Sequence, residues 1–318
     1  MSKNVFVIGA TGYFAGVLAR HFVTEGHHVS GSARSHEAGA ALAADGIAPV
    51  IGDLDSAIEP LLTAVREHDV VIYAAQVAFD HEPAIAEQLI HALAGTGKTL
   101  LFTSGSGVFM KDNRGQWSSE ALAEDDPFEP SAMMADRVDA ERAVRAAADR
   151  GVRSMVVRPP VIWGPGDNGQ VARVYRTVAT TGAACYVGPG LAAYSNVHSA
   201  DLARLYSLAI EKGTPGALYH AAGGEIPWRW IAESVARDLD VPTRSLSIEE
   251  AHEMFGPETT MIYSACSRSR DPRTRADLGW QPMHSDMLTQ VGEPRLRALA
   301  QRDPSQHATR SAHAFPGQ

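Results

Sequence analysis

The chain has 318 residues, 45% of them hydrophobic, enough to bury a substantial core in one large α/β unit or in a large unit with a smaller appendage. Its 28 basic and 37 acidic side chains give a net charge of −9, and no basic or basic-aromatic run is present, so nucleic acid is not an expected partner. No apolar run approaches the roughly 20 residues of a bilayer span, which excludes a helical membrane protein.

The chain enters a strand within four residues, without a charged segment, apolar stretch and cleavage site, and the expectation is a cytoplasmic protein. Cys185 and Cys266 are too few and too far apart for a metal site, and His27-His28 lacks the i, i+4 spacing of a helical ligand pair. No metal is expected.

The run Asn4-Val-Phe-Val-Ile-Gly9-Ala-Thr-Gly12-Tyr-Phe-Ala15-Gly16 reads as an apolar strand, a glycine-rich turn and a helix start. That sequence of elements builds a site for a pyrophosphate: glycines let the backbone come close to phosphate oxygens, and a helix N-terminus offers free amides. Further short apolar runs at Val29–Ala33, Pro49–Ile51, Val70–Ala75, Thr99–Thr103 and Ser154–Val157 are expected parallel strands covered on both faces. Between them Tyr13–Glu25, His36–Ala44, Ile58–Glu67, Ala84–Leu93 and Ala132–Arg150 have helical spacing. The alternation predicts a doubly wound parallel sheet of the Rossmann type, with ligands at the strands' carboxyl ends.

After about Gly164 the pattern changes to helices at Gly169–Thr181, Ala200–Glu211, Pro227–Leu239 and Ile248–Phe255, with a strand at Ala217–His220. The expected organisation is a dinucleotide-binding domain over 1–165, its sheet completed by later segments, a mainly helical substrate-capping region over 166–302, and a tail over 303–318.

Past the second strand, Ser30-Gly-Ser-Ala-Arg34-Ser35 lacks the acid that would bond a ribose 2′-hydroxyl. Arg34, helped by the hydroxyls of Ser32 and Ser35, suits a 2′-phosphate instead, so NADP is expected over NAD. A solvated arginine at a strand end is the plainer alternative.

Taken in order, Gly9-Ala-Thr-Gly12, Gly52-Asp53-Leu54, Asp69-Val-Val-Ile-Tyr-Ala74-Ala75, Thr103-Ser104-Gly-Ser106-Gly-Val108-Phe109 and Arg158-Pro-Pro-Val-Ile-Trp-Gly164-Pro-Gly166 resemble the extended or atypical short-chain dehydrogenase/reductase family, of the epimerase/dehydratase kind. Val197-His198-Ser-Ala-Asp201-Leu-Ala203 and Leu278-Gly-Trp-Gln-Pro282 extend the resemblance from Asn4 to about Pro282. It implies a cofactor site of Gly9, Thr11, Gly12, Tyr13, Phe14, Ala15, Arg34, Ser35, Asp53, Leu54, Ala74, Ala75, Gln76, Ser104, Arg137, Pro160 and Val161. For Asp53 a turn carboxylate before Ser56 is an equally physical role.

Relatives carry Tyr-x-x-x-Lys on a helix, the tyrosine exchanging a proton with the reacting oxygen. Here the register gives Met133-Met-Ala-Asp-Arg137. A thioether cannot transfer a proton, and Arg137 can hold ribose hydroxyls but is too basic to act as an acid. Gly105 falls where many relatives have their serine, leaving Ser106 as a substrate contact and Ser104 as a cofactor-side hydroxyl, or both as turn serines satisfied by backbone.

Tyr194, four residues before His198, takes the place of an arginine that holds nucleotides in similar sugar-nucleotide enzymes. It is a candidate acid or an aromatic wall. Val77, Phe79, Phe109, Met133, Met134 and Trp163 suggest an apolar or aromatic small substrate. The reading is an NADP-dependent oxidoreductase acting on a small apolar or aromatic carbonyl or alcohol, with a non-standard proton donor. The alternatives are a non-enzymatic NADP-binding sensor or scaffold, and an epimerase or lyase using bound cofactor. Helices Ala84–Leu93 and Ala132–Arg150 correspond to a pair that forms dimer contacts in many relatives, so a homodimer is a candidate assembly.

Overall fold

A computed structural model describes residues 1–301. The expected tail over 303–318 lies outside the described residues. In chain order the first half runs β1 (Asn4–Ile8), α1 (Tyr13–Thr24), β2 (His28–Ala33), α2 (His36–Ala44), β3 (Ala48–Ile51), α3 (Glu59–Glu67), β4 (Val70–Tyr73), α4 (Glu82–Leu93), β5 (Thr99–Thr103), β6 (Lys111–Asp112) and α5 (Ala135–Ala146). The second half runs β7 (Arg153–Arg158), β8 (Val161–Trp163), α6 (Gln170–Thr181), β9 (Ala184–Val187), β10 (Ala193–His198), α7 (Ser199–Lys212), β11 (Leu218–His220), β12 (Gly224–Pro227), α8 (Trp228–Leu239), β13 (Thr243–Leu246), α9 (Ile248–Ser264), β14 (Ala265–Cys266), α10 (Pro272–Leu278) and α11 (Pro294–Arg297).

Seven strands form one parallel sheet in the order β11-β7-β5-β4-β1-β2-β3, a Rossmann-like arrangement. The order reverses between β1 and β4, and that crevice is where such sheets take their ligands. Because both faces are covered, the strands need apolar side chains on both sides: Val5 and Val7 pack under Leu18, Phe22, Tyr206 and Trp280, while Phe6 and Ile8 pack under Leu61, Leu89 and Ile90. A separate core in the later part is built from Tyr175, Trp228, Ile231, Val235 and Tyr263, with Trp228 stacked on Tyr263 at 4.3 Å.

Several expected boundaries move for local reasons. The strand at Val70 ends at Tyr73: the amide of Ala74 makes a last bond to Ile8 O, and Ala74 and Ala75 then lie against Gly9. The helix expected over Ala132–Arg150 is three pieces: a 3₁₀ turn at Ala132–Met134, closed by Met134 N donating to Ser131 O at 2.9 Å, then α5, then a second 3₁₀ turn that Gly151 ends at φ 71°. The helix expected to stop at Phe255 is broken there, since Gly256 leaves helical geometry at φ 77° before Pro257, and a second segment continues to Ser264. Among the described residues no helix is long and apolar enough to cross a membrane.

Candidate functional site

The crevice is built first by β1 and α1. Gly9 sits at φ 91°, and a Cβ on it would stand 2.7 Å from Ala75 Cα and 2.8 Å from Ala74 O, so only glycine lets the turn pass over Ala74 and Ala75. The turn closes by Gly12 N donating to Gly9 O at 2.8 Å, and α1 begins at Tyr13 with no side-chain cap and no acidic residue in its first turn. Its free amides and positive dipole end fit an anionic group. These features fit a dinucleotide.

The other expected cofactor residues fall around this turn with unequal roles. Thr11 and Gly12 are exposed, whereas Ala15 is buried and Phe14 packs in the core against Tyr206 at a centroid distance of 5.6 Å. Tyr13 points its hydroxyl toward Ser199 and Gly164; burial raises its pKa, and the Ser199 hydroxyl works in the opposite direction. Ser32 Oγ accepts a hydrogen bond from Gly9 N at 2.7 Å, so its hydroxyl braces the turn while keeping its own proton to donate.

Arg34 is exposed just after β2 and makes no hydrogen bond or ion pair with any described residue. Ser35 caps α2, accepting from Ala38 N at 3.2 Å. Asp53 behaves as the turn carboxylate: its Oδ1 accepts from Asp55 N, Ser56 N and Ser56 Oγ. The Ser56 hydroxyl is the main cause of its lowered pKa, and the charge of nearby Arg34 adds to it. Leu54, Ala74 and Ala75 are half-buried, Gln76 is exposed, Pro160 is buried and Val161 half-buried.

At the carboxyl end of β5, Ser104 is buried and its Oγ has no hydrogen-bond partner among the described residues. Ser106 is buried too, its Oγ 3.0 Å from the Oγ of Ser267, which donates to Ser106 O at 2.7 Å. Nothing in the sequence marked Ser267, which lies 161 positions from Ser106 and is brought to it just after the two-residue pairing of β14 with β6.

Met133 is 42% exposed, in the 3₁₀ turn ahead of α5. Its neighbour Met134 is the buried one, with Cε 4.0 Å from where a Cβ on Gly107 would stand, and so faces the turn that carries Ser106. Arg137 lies two residues into α5 and is held by Glu82: Nε donates to Oε2 at 2.8 Å and Nη2 to Oε1 at 2.5 Å. Its guanidinium covers the ring of Phe79 at 4.6 Å. Burial works against its charge, but the hydrogen bonds and charge of Glu82 prevail and raise its pKa. Glu82 was not singled out from the sequence, where the helix was expected to begin only at Ala84.

Tyr194 is buried on β10, between Ile226 on one side and Ser267 on the other. Its hydroxyl donates to Met110 Sδ. Burial drives its pKa far above the ordinary phenol value. Of the expected apolar wall, Val77, Phe109 and Trp163 are packed into cores, and Trp163 Nε1 donates to Asn196 Oδ1 at 2.9 Å. A cavity of about 470 Å³ opens elsewhere, between Trp163, Gly164, His198, His284 and Arg295, and Ser106, Met133, Arg137 and Tyr194 are not among its lining.

The sequence profile of the NAD dependent epimerase/dehydratase family matches residues 5–222, and the chain belongs to that family. An uncharacterized protein of Schizosaccharomyces pombe is 32% identical over 298 residues, covering 91% of this chain and 98% of its own. A 2-alkyl-3-oxoalkanoate reductase of Stenotrophomonas maltophilia is 27% identical, covering 79% of this chain and 81% of its own. The dTDP-glucose 4,6-dehydratase of Bacillus anthracis, solved in complex with NAD, superposes with a TM-score of 0.72 at 15% identity, covering 99% of both chains. That last likeness is one of fold.

Proposed function

We propose that this is an NADP-dependent oxidoreductase acting on a small apolar or aromatic carbonyl or alcohol, without the family's usual proton donor. The observation that carries the cofactor preference is Arg34: an exposed cation at the end of β2, with no hydrogen bond or ion pair to a described residue and no acid in the segment Ser30–Ser35, next to the N-terminus of α2. A 2′-phosphate there gains a charge-assisted contact that a 2′-hydroxyl lacks. Bound in the crevice, the nicotinamide would supply or accept a hydride.

Gly9, Gly12 and the amides at the start of α1 hold the pyrophosphate in this reading, Arg137 the ribose, and Ser106 orients the substrate oxygen through a hydroxyl shared with Ser267. The reductase relative from Stenotrophomonas supports a carbonyl substrate, since its name places a ketone beside an alkyl chain. Tyr194 serves as wall. A phenol whose charged form is disfavoured by burial gives up its proton poorly, and its hydroxyl is directed at a thioether. The proton therefore comes from water or from the substrate, which favours carbonyls that need little protonic help.

The enzyme works in the cytoplasm in this proposal, with α4 and α5 as its candidate homodimer face. The test is NADPH oxidation, followed at 340 nm, with a series of ketones bearing longer apolar groups: kcat/KM should rise along the series. One observation favours a second reading, a sensor or scaffold: no described hydroxyl at the site is set as an acid. Tight NADPH binding with no oxidation by any ketone in the series would support that reading instead.

A further inference from the structure

Arg137 is bound to Glu82 edge to edge. Two of its three nitrogens are consumed by the carboxylate, and the flat side of the guanidinium lies on Phe79. Glu82 is the first residue of α4 and fully buried, with the hydroxyl of buried Tyr73 donating to its Oε1 at 3.4 Å. Bidentate pairing and ring contact together fix the plane of a side chain that would otherwise rotate about several bonds.

The remaining nitrogen, Nη1, makes no hydrogen bond to a described residue. It lies at the carboxyl end of β5, 3.9 Å from where a Cβ on Gly105 would stand. Stability alone is a poor reason for such a pair, since buried ion pairs are commonly replaced by apolar residues at no cost.

We propose that Glu82 is a positioning residue: it aims Nη1 of Arg137 at the ribose hydroxyls of the cofactor's nicotinamide half, and it compensates the cation there. The inference rests on the cofactor reading above. A lysine in this place leaves an uncompensated charge that can acidify a neighbouring hydroxyl; the Glu82–Arg137 pair keeps the anchoring donor and removes that field. A chain without the tyrosine has no hydroxyl to acidify, and the two departures from the family pattern agree.

Two probes separate the outcomes, each titrated against the whole chain: NADPH, and adenosine 2′,5′-bisphosphate, which has no nicotinamide half. Glu82→Gln should weaken NADPH about tenfold or more, the scale of a lost or misaimed hydrogen bond to a charged group, and leave the bisphosphate within about twofold. The apolar pair Glu82→Leu/Arg137→Met, which keeps the volume and leaves no bare charge, should show the same selective loss. Unchanged NADPH affinity in both variants, or equal weakening of both probes, overturns the inference and leaves the pair a structural one. If the unmodified protein binds neither probe, the cofactor reading fails and the inference with it.

Discussion

The hydroxyl of Tyr194 donates to the thioether of Met110, inside a setting that excludes water. A thioether is a weak acceptor with no proton to exchange, so the arrangement supports an aromatic wall and lacks the second group that a proton relay needs. Tyr194→Phe should therefore change kcat by less than about threefold. An acid at this position would cost about a hundredfold, and that loss would restore Tyr194 as the donor.

Cofactor selectivity should rest on Arg34. NADPH is expected to bind more tightly than NADH, and Arg34→Ala should narrow the gap by about 1 to 3 kcal/mol, the range of one charge-assisted contact. Titration by nucleotide fluorescence measures it directly; equal affinities for both nucleotides in the unmodified protein would remove the NADP preference.

His220 ties stability to pH. It is fully buried at the end of β11, its Nδ1 donating to Arg270 O at 3.0 Å, and burial, with the charge of Arg158, lowers its pKa to about 4 from the ordinary 6.5. Between those values the unfolded chain holds the proton and the native chain does not. The contribution is thus complete above pH 6.5 and falls by about 3 kcal/mol as the pH drops toward 4. Denaturant unfolding across pH 4 to 7 should show this slope, and His220→Gln should flatten it.

In the proposed register residue 133 stands where relatives carry a tyrosine, and that hydroxyl can be put back by substitution. Met133 is exposed one turn ahead of Arg137, so a tyrosine fits there without overpacking the core. At saturating NADPH, Met133→Tyr should gain activity on simple ketones, by more with Glu82→Gln than alone, because the compensated cation of Arg137 cannot acidify the new phenol. No gain in either variant would mean that residue 133 does not face the reacting atoms.

The Rossmann half was legible because parallel strands buried on both faces leave continuous apolar runs, and because Gly9 and Gly12 stand at fixed distances from a strand and a helix. The β8–β10–β12 and β9–β13 pairings were not. Strands of three to six residues, paired across up to 59 positions, carry no period of their own. Arg34 could be proposed from a local segment alone. Glu82 and Ser267 could not, since each owes its place to a residue far away in sequence, Arg137 and Ser106 respectively. Met134 shows a different limit: the 3₁₀ turn at Ala132–Met134 rotates the start of the helix, so spacing alone does not say which methionine faces the Ser106 turn.

The most direct test of the account is a single-turnover experiment with NADPH deuterated at the transferable C4 position, protein in excess, and an apolar ketone. Deuterium should appear on the carbinol carbon of the product in step with loss of absorbance at 340 nm. NADPH that is bound yet remains fully deuterated and unoxidised would contradict it.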